Sequence, residues 1–212
     1  MDEPELRLLN LTHASSTSAI IRVDTRDLNT TTGRRSVRVE SKKQYDTGLF
    51  IFDVKHTPVG CSTWSMLSMK DRYSWPQNGE IDIVEAGNSA IVRSQVTLHT
   101  SDGCSMKRIR REQSGTTITN DCFSGSNNNS GCGVLKPRAS YGQLFNENEG
   151  VSMLSRSVKT VSEFGFGHDM LSLKMCKSLW LVVMLLQTHL HGDVPLRTSQ
   201  TRDVRSRNTF EI

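Results

Sequence analysis

Apolar and polar residues alternate along several short segments of the chain. Four of them read as strands: residues 18–24 (SAIIRVD), 36–41 (SVRVES), 47–55 (TGLFIFDVK) and 96–100 (VTLHT). Turn-forming residues cluster between them, as in residues 27–35 (DLNTTTGRR). Short strands at short intervals, joined by Gly-, Asn- and Asp-rich turns, are typical of β-sandwiches and jelly rolls. We therefore predict an all-β fold with strands at these four segments.

Three carboxylates lie close together in residues 75–100, which read WPQNGEIDIVEAGNSAIVRSQVTLHT. They are Glu80, Asp82 and Glu85, and the residues between them are the β-branched Ile81, Ile83 and Val84, which favour a strand over a helix. Side chains alternate between the faces of a strand, so Glu80 and Asp82 share a face and Glu85 has the opposite parity. One extra residue, a β-bulge, would return Glu85 to the face of the other two acids and turn the apolar residues largely into a core.

Carboxylates held this close repel one another, so we expect the pKa of at least one of them to rise. A carboxylic acid with a raised pKa beside an ionised carboxylate suits glycoside hydrolysis, in which one group attacks the anomeric carbon and the other protonates the leaving oxygen. The alternative is a solvated strand face that happens to be acidic. The flanking WPQNG and TLHT sequences favour the chemical interpretation.

The same stretch resembles glycoside hydrolase family 16, and within it the fungal endo-1,3(4)-β-glucanases, or laminarinases. Those enzymes carry G-E-I-D-I-x-E after a W-P-x-N turn and T-L-H-T on a following strand, which GEIDIVE, WPQN and TLHT match here. The resemblance extends, with gaps, from about Ser18 to Asn148. It implies a concanavalin A-like jelly-roll β-sandwich with a cleft across its concave sheet.

The resemblance also implies a role for each acid. Glu80 matches the nucleophile, Glu85 the general acid/base, and Asp82 the orienting partner of the nucleophile. His99 matches the histidine that lies beside these acids in the family. Alternation along its strand puts His99 and Thr97 on the polar, cleft-side face, although a lone histidine there can also just complete a hydrogen-bond network.

Aromatic and amide side chains near the acids are the candidate sugar contacts: Trp75, Trp64 and Asn78. Within the family's T-W-P-A-x-W-like segment, Trp64 is retained, Ser65 replaces the usual proline, and Ser68 stands where a second tryptophan is expected. Sugar rings pack on aromatic faces, so this loss should weaken binding at one subsite. An equally good interpretation of Trp64 is an ordinary core residue.

Composition narrows the possible partners. The chain has 212 residues, enough for one sizeable core, and a formal net charge of +4 without the concentrated basic patch of a nucleic-acid binder. The apolar run at residues 179–186 is too short to span a bilayer. The cysteines lack the paired C-x-x-C spacing of a structural zinc site. We expect a monomer that acts on β-glucan, with no metal or organic cofactor and no nucleic-acid or membrane partner.

The five cysteines are Cys61, Cys104, Cys122, Cys132 and Cys176. Three of them fall in the Ser/Gly/Asn-rich residues 102–133, which suggests a loop closed by a disulfide in an oxidising compartment. The alternative is that these cysteines are reduced and buried. Sequons at Asn10, Asn29 and Asn128 fit a secreted glycoprotein. The acidic start MDEPELRLLNLT does not read as a signal peptide, so the extracellular location is an expectation from the resemblance alone.

The resemblance changes near Gly150. Residues 141–150 (YGQLFNENEG) are similar to the family's Y-G-x-x-F-N-x-N-G-G segment, but the aromatic strands that follow there are not recognisable in residues 151–212. We therefore divide the chain into a partial catalytic domain at 1–150 and a divergent or aberrant segment at 151–212. We expect a sandwich that is incomplete at both ends, a poorly ordered or loosely docked C-terminal segment, and a tail from Thr198 that is largely exposed.

We predict an endo-acting β-1,3(4)-glucan hydrolase that works by double displacement with retention, with the Glu80 and Glu85 carboxyl groups roughly 5–5.5 Å apart. A missing cleft wall would leave the acids open to water and lower the activity. One alternative is a β-glucan-binding protein without turnover, which Ser68 and the altered C-terminal part favour and the intact acids oppose. The other alternative is a non-functional fragment.

Overall fold

The structure is a computed structural model that describes residues 3–26, 33–45, 48–71, 73–87, 92–107, 113–158, 161–166, 169–174 and 209–211. Side chains are described from residue 5 to residue 150 of these ranges, except for residues 48 and 49. No helix in these ranges is both long and apolar enough to cross a bilayer.

Strands dominate the described chain. They are β1 (Thr12–Ala14), β2 (Ala19–Ile21), β3 (Gly48–Val54), β4 (Trp64–Lys70), β5 (Glu80–Gly87), β6 (Gln95–His99), β7 (Thr116–Thr117), β8 (Cys132–Leu135), β9 (Val151–Val158), β10 (Val161–Phe166), β11 (Asp169–Lys174) and β12 (Thr209–Glu211). The helices are short: α1 (Glu3–Leu8), α2 (Gly142–Glu147) and a 3-10 turn at Asn127–Asn129.

The described strands pair antiparallel in two main sheets and a small β1–β2 hairpin. One sheet has the order β12-β4-β5-β6-β8-β7 and the other the order β11-β10-β9-β3. Phe50, Phe52 and Val54 of β3 pack against the hydrophobic core beneath the six-stranded sheet. The expected all-β class is confirmed, and the sheet that carries β5 and β6 is the one that holds the three acids.

Three of the four predicted strands are present as β2, β3 and β6. The prediction for residues 36–41 is wrong, because this segment forms no strand of any described sheet and only Glu40 takes part in a β-bridge. Val39 is 41% exposed there, so its side chain is not packed into a core. Alternation indicates an amphipathic strand only where a second layer buries one of its faces.

The core is centred on β4, β5, β6 and β8. Its fully or nearly fully buried side chains include Met69, Ile83, Leu98, Met106, Tyr141 and Phe145. Ser65, which replaces the family's proline, lies on the core side of β4 and is 2.5 Å from the hydroxyl of Tyr141. A buried phenol needs such a partner, so the substitution at position 65 has a structural use.

Residues after Gly150 contribute strands to the four-stranded sheet. Strand β9 pairs with the whole length of β3, beginning with Val151 opposite Val54, and β10 and β11 extend the sheet from there. Strand β12 pairs with the edge of β4. The apolar run at 179–186 and nearly all of the predicted tail lie outside the described residues, so the expected disorder of 151–212 stays a prediction.

Candidate active site

Strand β5 carries a bulge between Asp82 and Glu85. Towards β4, the pairing passes over Ile83, so that Val84 and Asp82 face consecutive residues. Towards β6, Asp82 and Glu85 face residues that are two apart although they are three apart themselves. The predicted extra residue is therefore present, and it restores the parity of Glu85 with the other two acids.

Glu80, Asp82 and Glu85 form one row on a single face of the sheet, which we call the acid row. The residues in register with the row are Lys70, Ser68 and Met66 on β4, and His99, Thr97 and Gln95 on β6. Ile81, Ile83 and Val84 are buried in the core on the other side, as the bulge argument expected. The sheet thus separates a charged face from an apolar one within a single strand.

Glu80 has a cation and an indole as neighbours. The Nε1 of Trp75 donates a hydrogen bond to Glu80 Oε2 at 2.8 Å, and the Nζ of Lys70 lies 3.6 Å from Glu80 Oε1. The Glu80 side chain is 12% exposed. Trp75 therefore reaches the acid row directly, whereas Lys70 was not expected at the site; its register position on β4 follows from pairing and not from any sequence motif.

The turn before β5 is organised by Asp71. This buried carboxylate accepts hydrogen bonds from the backbone N–H of Tyr73 at 2.8 Å and from Nδ2 of Asn78 at 2.5 Å. Asn78 thus holds the turn that presents Trp75. Its predicted contact with sugar stays a prediction.

Glu85 is contacted by neutral donors from β6. The Nε2 of Gln95 donates to Glu85 Oε2 at 2.9 Å, and the Oγ1 of Thr97 lies 3.5 Å from the same oxygen. Gln95 also donates to Thr97 at 3.2 Å, which links the two donors. Gln95 was missed from the sequence, although its parity with Thr97 and His99 would have placed it on this face.

Asp82 and His99 form a buried pair in the middle of the row. His99 Nε2 lies 3.1 Å from Asp82 Oδ2, and the two side chains are 9% and 3% exposed. Burial is the main cause that raises the pKa of Asp82 to about 6; the charges of Glu80 and Glu85 add to it, and His99 opposes it. One carboxyl pKa therefore rises as expected, but in Asp82 at the centre of the row.

The pKa of His99 is also raised. Burial alone lowers it, but the hydrogen bond to Asp82 and the charges of all three carboxylates together outweigh that effect. The expectation that His99 lies on the face of the acids is confirmed. The expectation that the acids would be open to water does not hold for Glu80 and Asp82, whose side chains are 12% and 3% exposed. Glu85 is only partly buried.

Three buried polar atoms around this pair lack a hydrogen-bond partner among the described residues: Asp82 Oδ1, His99 Nδ1 and Ser68 Oγ. Ser68 pairs in register with Asp82, so the missing tryptophan leaves a small hydroxyl next to the central acid. Trp64, on the same face, is 74% exposed, which excludes the core alternative for that residue.

Gly131 packs directly against His99. Its φ is +57°, and an added Cβ would lie 2.9 Å from His99 Nδ1 and 2.6 Å from the carbonyl oxygen of Leu98. Cys132, the residue after Gly131, forms a disulfide with Cys122, with a sulfur–sulfur distance of 2.06 Å. The backbone at Gly131 thus lies close against the histidine ring and leaves no room for a side chain, which no local motif indicated.

In the described ranges, no group of three or more His, Cys, Asp or Glu side chains is arranged to hold a metal ion. The acid row is spaced along one strand, and its central member is already paired with a histidine. What the row offers is proton transfer and nucleophilic attack by carboxylates held close together.

Comparison with known proteins gives a consistent assignment. A family model described as the XgeA-like, catalytic GH16 domain matches residues 3–174. The match therefore continues past Asn148, where the sequence resemblance was expected to stop.

The chain is 42% identical over 154 residues to a probable glycosidase of Schizosaccharomyces pombe, a match that covers 71% of this chain and 36% of that protein. It is 35% identical over 156 residues to an endo-1,3(4)-beta-glucanase of Arthroderma benhamiae, covering 71% of this chain and 34% of that protein. The chain thus spans about a third of the length of these curated relatives.

Among solved structures, the chain is similar to GH16 Laminarinase 16A from Phanerochaete chrysosporium, in a structure with two beta-glucans (6-O-glucosyl-laminaritriose) in the donor and acceptor sites. The TM-score is 0.70 at 36% identity, and the match covers 76% of this chain and 54% of that one. At this identity the likeness extends beyond the fold. It supports the jelly-roll architecture that the sequence resemblance implied.

Proposed function

The chain belongs to glycoside hydrolase family 16, and we propose that it hydrolyses internal linkages of β-1,3(4)-glucans with retention of anomeric configuration. The observation that carries the proposal is the bulge in β5, because it puts Glu80, Asp82 and Glu85 on one face of the sheet with separate sets of partners. Two carboxylates flanking the scissile bond are what such a reaction requires.

In the first step, a carboxylate oxygen of Glu80 attacks the anomeric carbon. The bond from that carbon to the glycosidic oxygen breaks, and Glu85 transfers its proton to the departing oxygen. The product is a glucosyl ester of Glu80 and a shortened glucan. Trp75 and Lys70, which lie against Glu80, keep its two oxygens oriented before the attack.

In the second step, Glu85 takes a proton from water, and the resulting hydroxide attacks the same carbon. The ester bond to Glu80 breaks, Glu80 regains its negative charge, and Glu85 is again protonated. Two inversions at one carbon give net retention. Gln95 and Thr97 hold Glu85 on the acid face during both proton transfers.

The Asp82–His99 pair lies between the two reacting acids, and its protonation state changes the negative charge there. A carboxyl with a pKa of about 6 can change protonation as charge moves along the row. By family resemblance Asp82 orients the nucleophile, and its hydrogen bond to His99 fixes the plane of its own carboxylate. We therefore assign the pair a supporting role beside Glu80 and Glu85 and not the role of a third reactant.

The proposed substrate follows from the relatives and from the exposed aromatic side chains. The Arthroderma benhamiae protein is named an endo-1,3(4)-beta-glucanase, and the similar Phanerochaete chrysosporium structure holds beta-glucans. Trp64 and Trp75 are exposed on or next to the acid face, where indole rings can stack on glucosyl units. We further propose an extracellular location and a monomeric enzyme.

The test is hydrolysis of laminarin and lichenan, followed by reducing-sugar release and by proton NMR of the first products. Retention predicts the β-anomer before mutarotation. Initial α-anomer would exclude the double displacement. Binding without release of sugar would favour the glucan-binding alternative, and the absence of a cooperative thermal transition would favour the fragment.

A further inference from the structure

A lysine lies in the apolar core behind the acid row. Lys136 directly follows β8 and is 4% exposed, and its backbone N–H donates to the carbonyl oxygen of Ser94 at 2.9 Å. It comes two residues after the buried Val134, on the core side of the sheet. Lysine is almost never fully buried without a specific partner, because burial of an ammonium group is costly.

One such partner is the bulge itself. The Nζ of Lys136 donates to the carbonyl oxygen of Ile83 at 2.8 Å. Ile83 is the residue that the pairing with β4 passes over. A bulge disrupts the ladder locally, so a backbone group there needs a donor from elsewhere, and a buried carbonyl without one is destabilising. The side chain of Lys136 supplies that donor from the residue that follows β8.

We propose that Lys136 is a positioning residue that holds the β5 bulge in place and thereby sets the position of Glu85 relative to Glu80. Glu85 lies two residues after Ile83, and Asp82 lies one residue before it, so the hydrogen bond acts between the two ends of the acid row. A slip of one residue would return Glu85 to the core face. The effect on turnover rests on the proposed function, but the effect on the backbone does not.

The chemistry of the lysine is compatible with this role. Burial lowers the pKa of Lys136 to about 7. An ammonium group and a neutral amine both have N–H donors, so the hydrogen bond to a carbonyl does not require the charge. The length of the side chain matters, because it must reach from the end of β8 to β5, which is separated from it by β6.

The test compares three variants with the wild-type protein. Lys136→Met keeps the length and removes the donor, Lys136→Arg keeps a donor, and Val134→Ala removes packing from the same core face without touching the bulge contact. Two readouts are needed: hydrogen exchange of the β5 amides at residues 83–85, and kcat and KM on laminarin at a temperature well below every melting transition.

For Lys136→Met we expect faster hydrogen exchange that is confined to residues 83–85. We also expect kcat to fall by about tenfold to a hundredfold while KM stays within about twofold, because small displacements of catalytic groups have effects of this size. Val134→Ala should lower the melting temperature and leave kcat within about twofold. Wild-type exchange and kcat in Lys136→Met, or the same profile in Lys136→Met and Val134→Ala, would overturn the proposal.

If Lys136→Met does not fold, Lys136→Arg decides the matter. For Lys136→Arg we expect the amides of residues 83–85 to stay protected from hydrogen exchange and kcat to stay within about threefold of wild type. If Lys136→Arg instead showed the faster exchange and lower kcat expected for Lys136→Met, the hydrogen-bond donor would not be the feature that matters. If the wild-type protein releases no sugar at all, the proposed function fails, and the exchange comparison still tests Lys136.

Discussion

The two ends of the acid row differ in the side chains that contact them. At one end, Glu80 meets the indole of Trp75 and the ammonium of Lys70, from the preceding turn and from β4. At the other end, Glu85 meets the amide of Gln95 and the hydroxyl of Thr97, both from β6. The two acids belong to one strand, but their neighbours come from opposite edges of it.

The two carboxyl groups are chemically identical but lie in different surroundings. An indole N–H and an ammonium group lie against the oxygens of Glu80, whereas an amide and a hydroxyl lie against one oxygen of Glu85. The difference arises from the turn before β5 and from the register of β4 and β6 with β5. The division of roles that the family resemblance implies stays a prediction, and variants at each end of the row test it.

The largest effect is expected at the Glu80 end. Glu80→Gln keeps the shape of the side chain and removes the nucleophile, so turnover of laminarin should fall by roughly 10⁴-fold or more. Binding of laminarin oligosaccharides, measured by calorimetry, should stay within a few-fold (about threefold) of wild type because the residue acts on the reacting carbon. Wild-type turnover in this variant would end the assignment of Glu80.

A smaller effect is expected at the Glu85 end, and it should depend on the leaving group. Glu85→Gln should slow laminarin hydrolysis by roughly 10²–10⁴-fold, the usual contribution of general acid–base catalysis. An aryl β-glucoside oligomer with an acidic phenol needs no protonation, so a rapid burst of phenol should precede a slow second step. If Glu80→Gln gave the same burst, the two ends would not have separate roles.

The centre of the row should make stability depend on pH. The raised pKa values of Asp82 and His99 mean that the folded protein holds these protons more tightly than the unfolded chain does. This stabilisation is present at low pH and is lost as pH rises, from 3.8 through about 6 for Asp82 and above 6.5 for His99. Asp82→Asn removes it.

The free energy of unfolding of wild type relative to Asp82→Asn should therefore fall by about 3 kcal/mol between roughly pH 4 and pH 7, as urea titrations at the two pH values would measure. Ser68→Ala is the control, since it removes a buried hydroxyl beside Asp82 but no titrating group. A difference that grows with pH would show that the sign is wrong.

The smallest effect is expected from the hydrogen bond between Trp75 and Glu80. Trp75→Phe keeps an aromatic ring and removes the Nε1 donor, so kcat/KM should fall by about tenfold, as expected for one hydrogen bond to a charged acceptor. Trp64→Phe leaves that bond intact and should change kcat/KM by about twofold or less. Equal losses would mean that Trp75 acts as a stacking surface alone.

Strand β5 shows how far sequence reasoning can reach. Its acids have incompatible parities, and one inserted residue is the simplest way to put all of them on one face, so the bulge could be predicted. Strand β3 shows the limit. Leu49 and Ile51 are as apolar as the alternate Phe50 and Phe52. The packing of β3 against the core partly buries the two phenylalanines and leaves Ile51 57% exposed.

The supporting residues were harder to predict. Lys70 and Gln95 lie on the strands beside β5, and Lys136 follows β8; no sequence motif identifies any of them. Gly131 approaches His99 through a loop that reads as flexible and polar in the sequence. Each of these contacts depends on the register between strands and on whether a side chain is long enough to span the distance to its partner.

The sequence by itself determined the family, the all-β class, the order of the acids and the need for a bulge, because these depend on neighbouring residues and on a period of two. The tertiary structure decided which acid has the raised pKa, which cation lies beside Glu80 and what holds Ile83 in place. Those properties depend on burial and on atoms brought together from distant strands, and a linear pattern does not contain either.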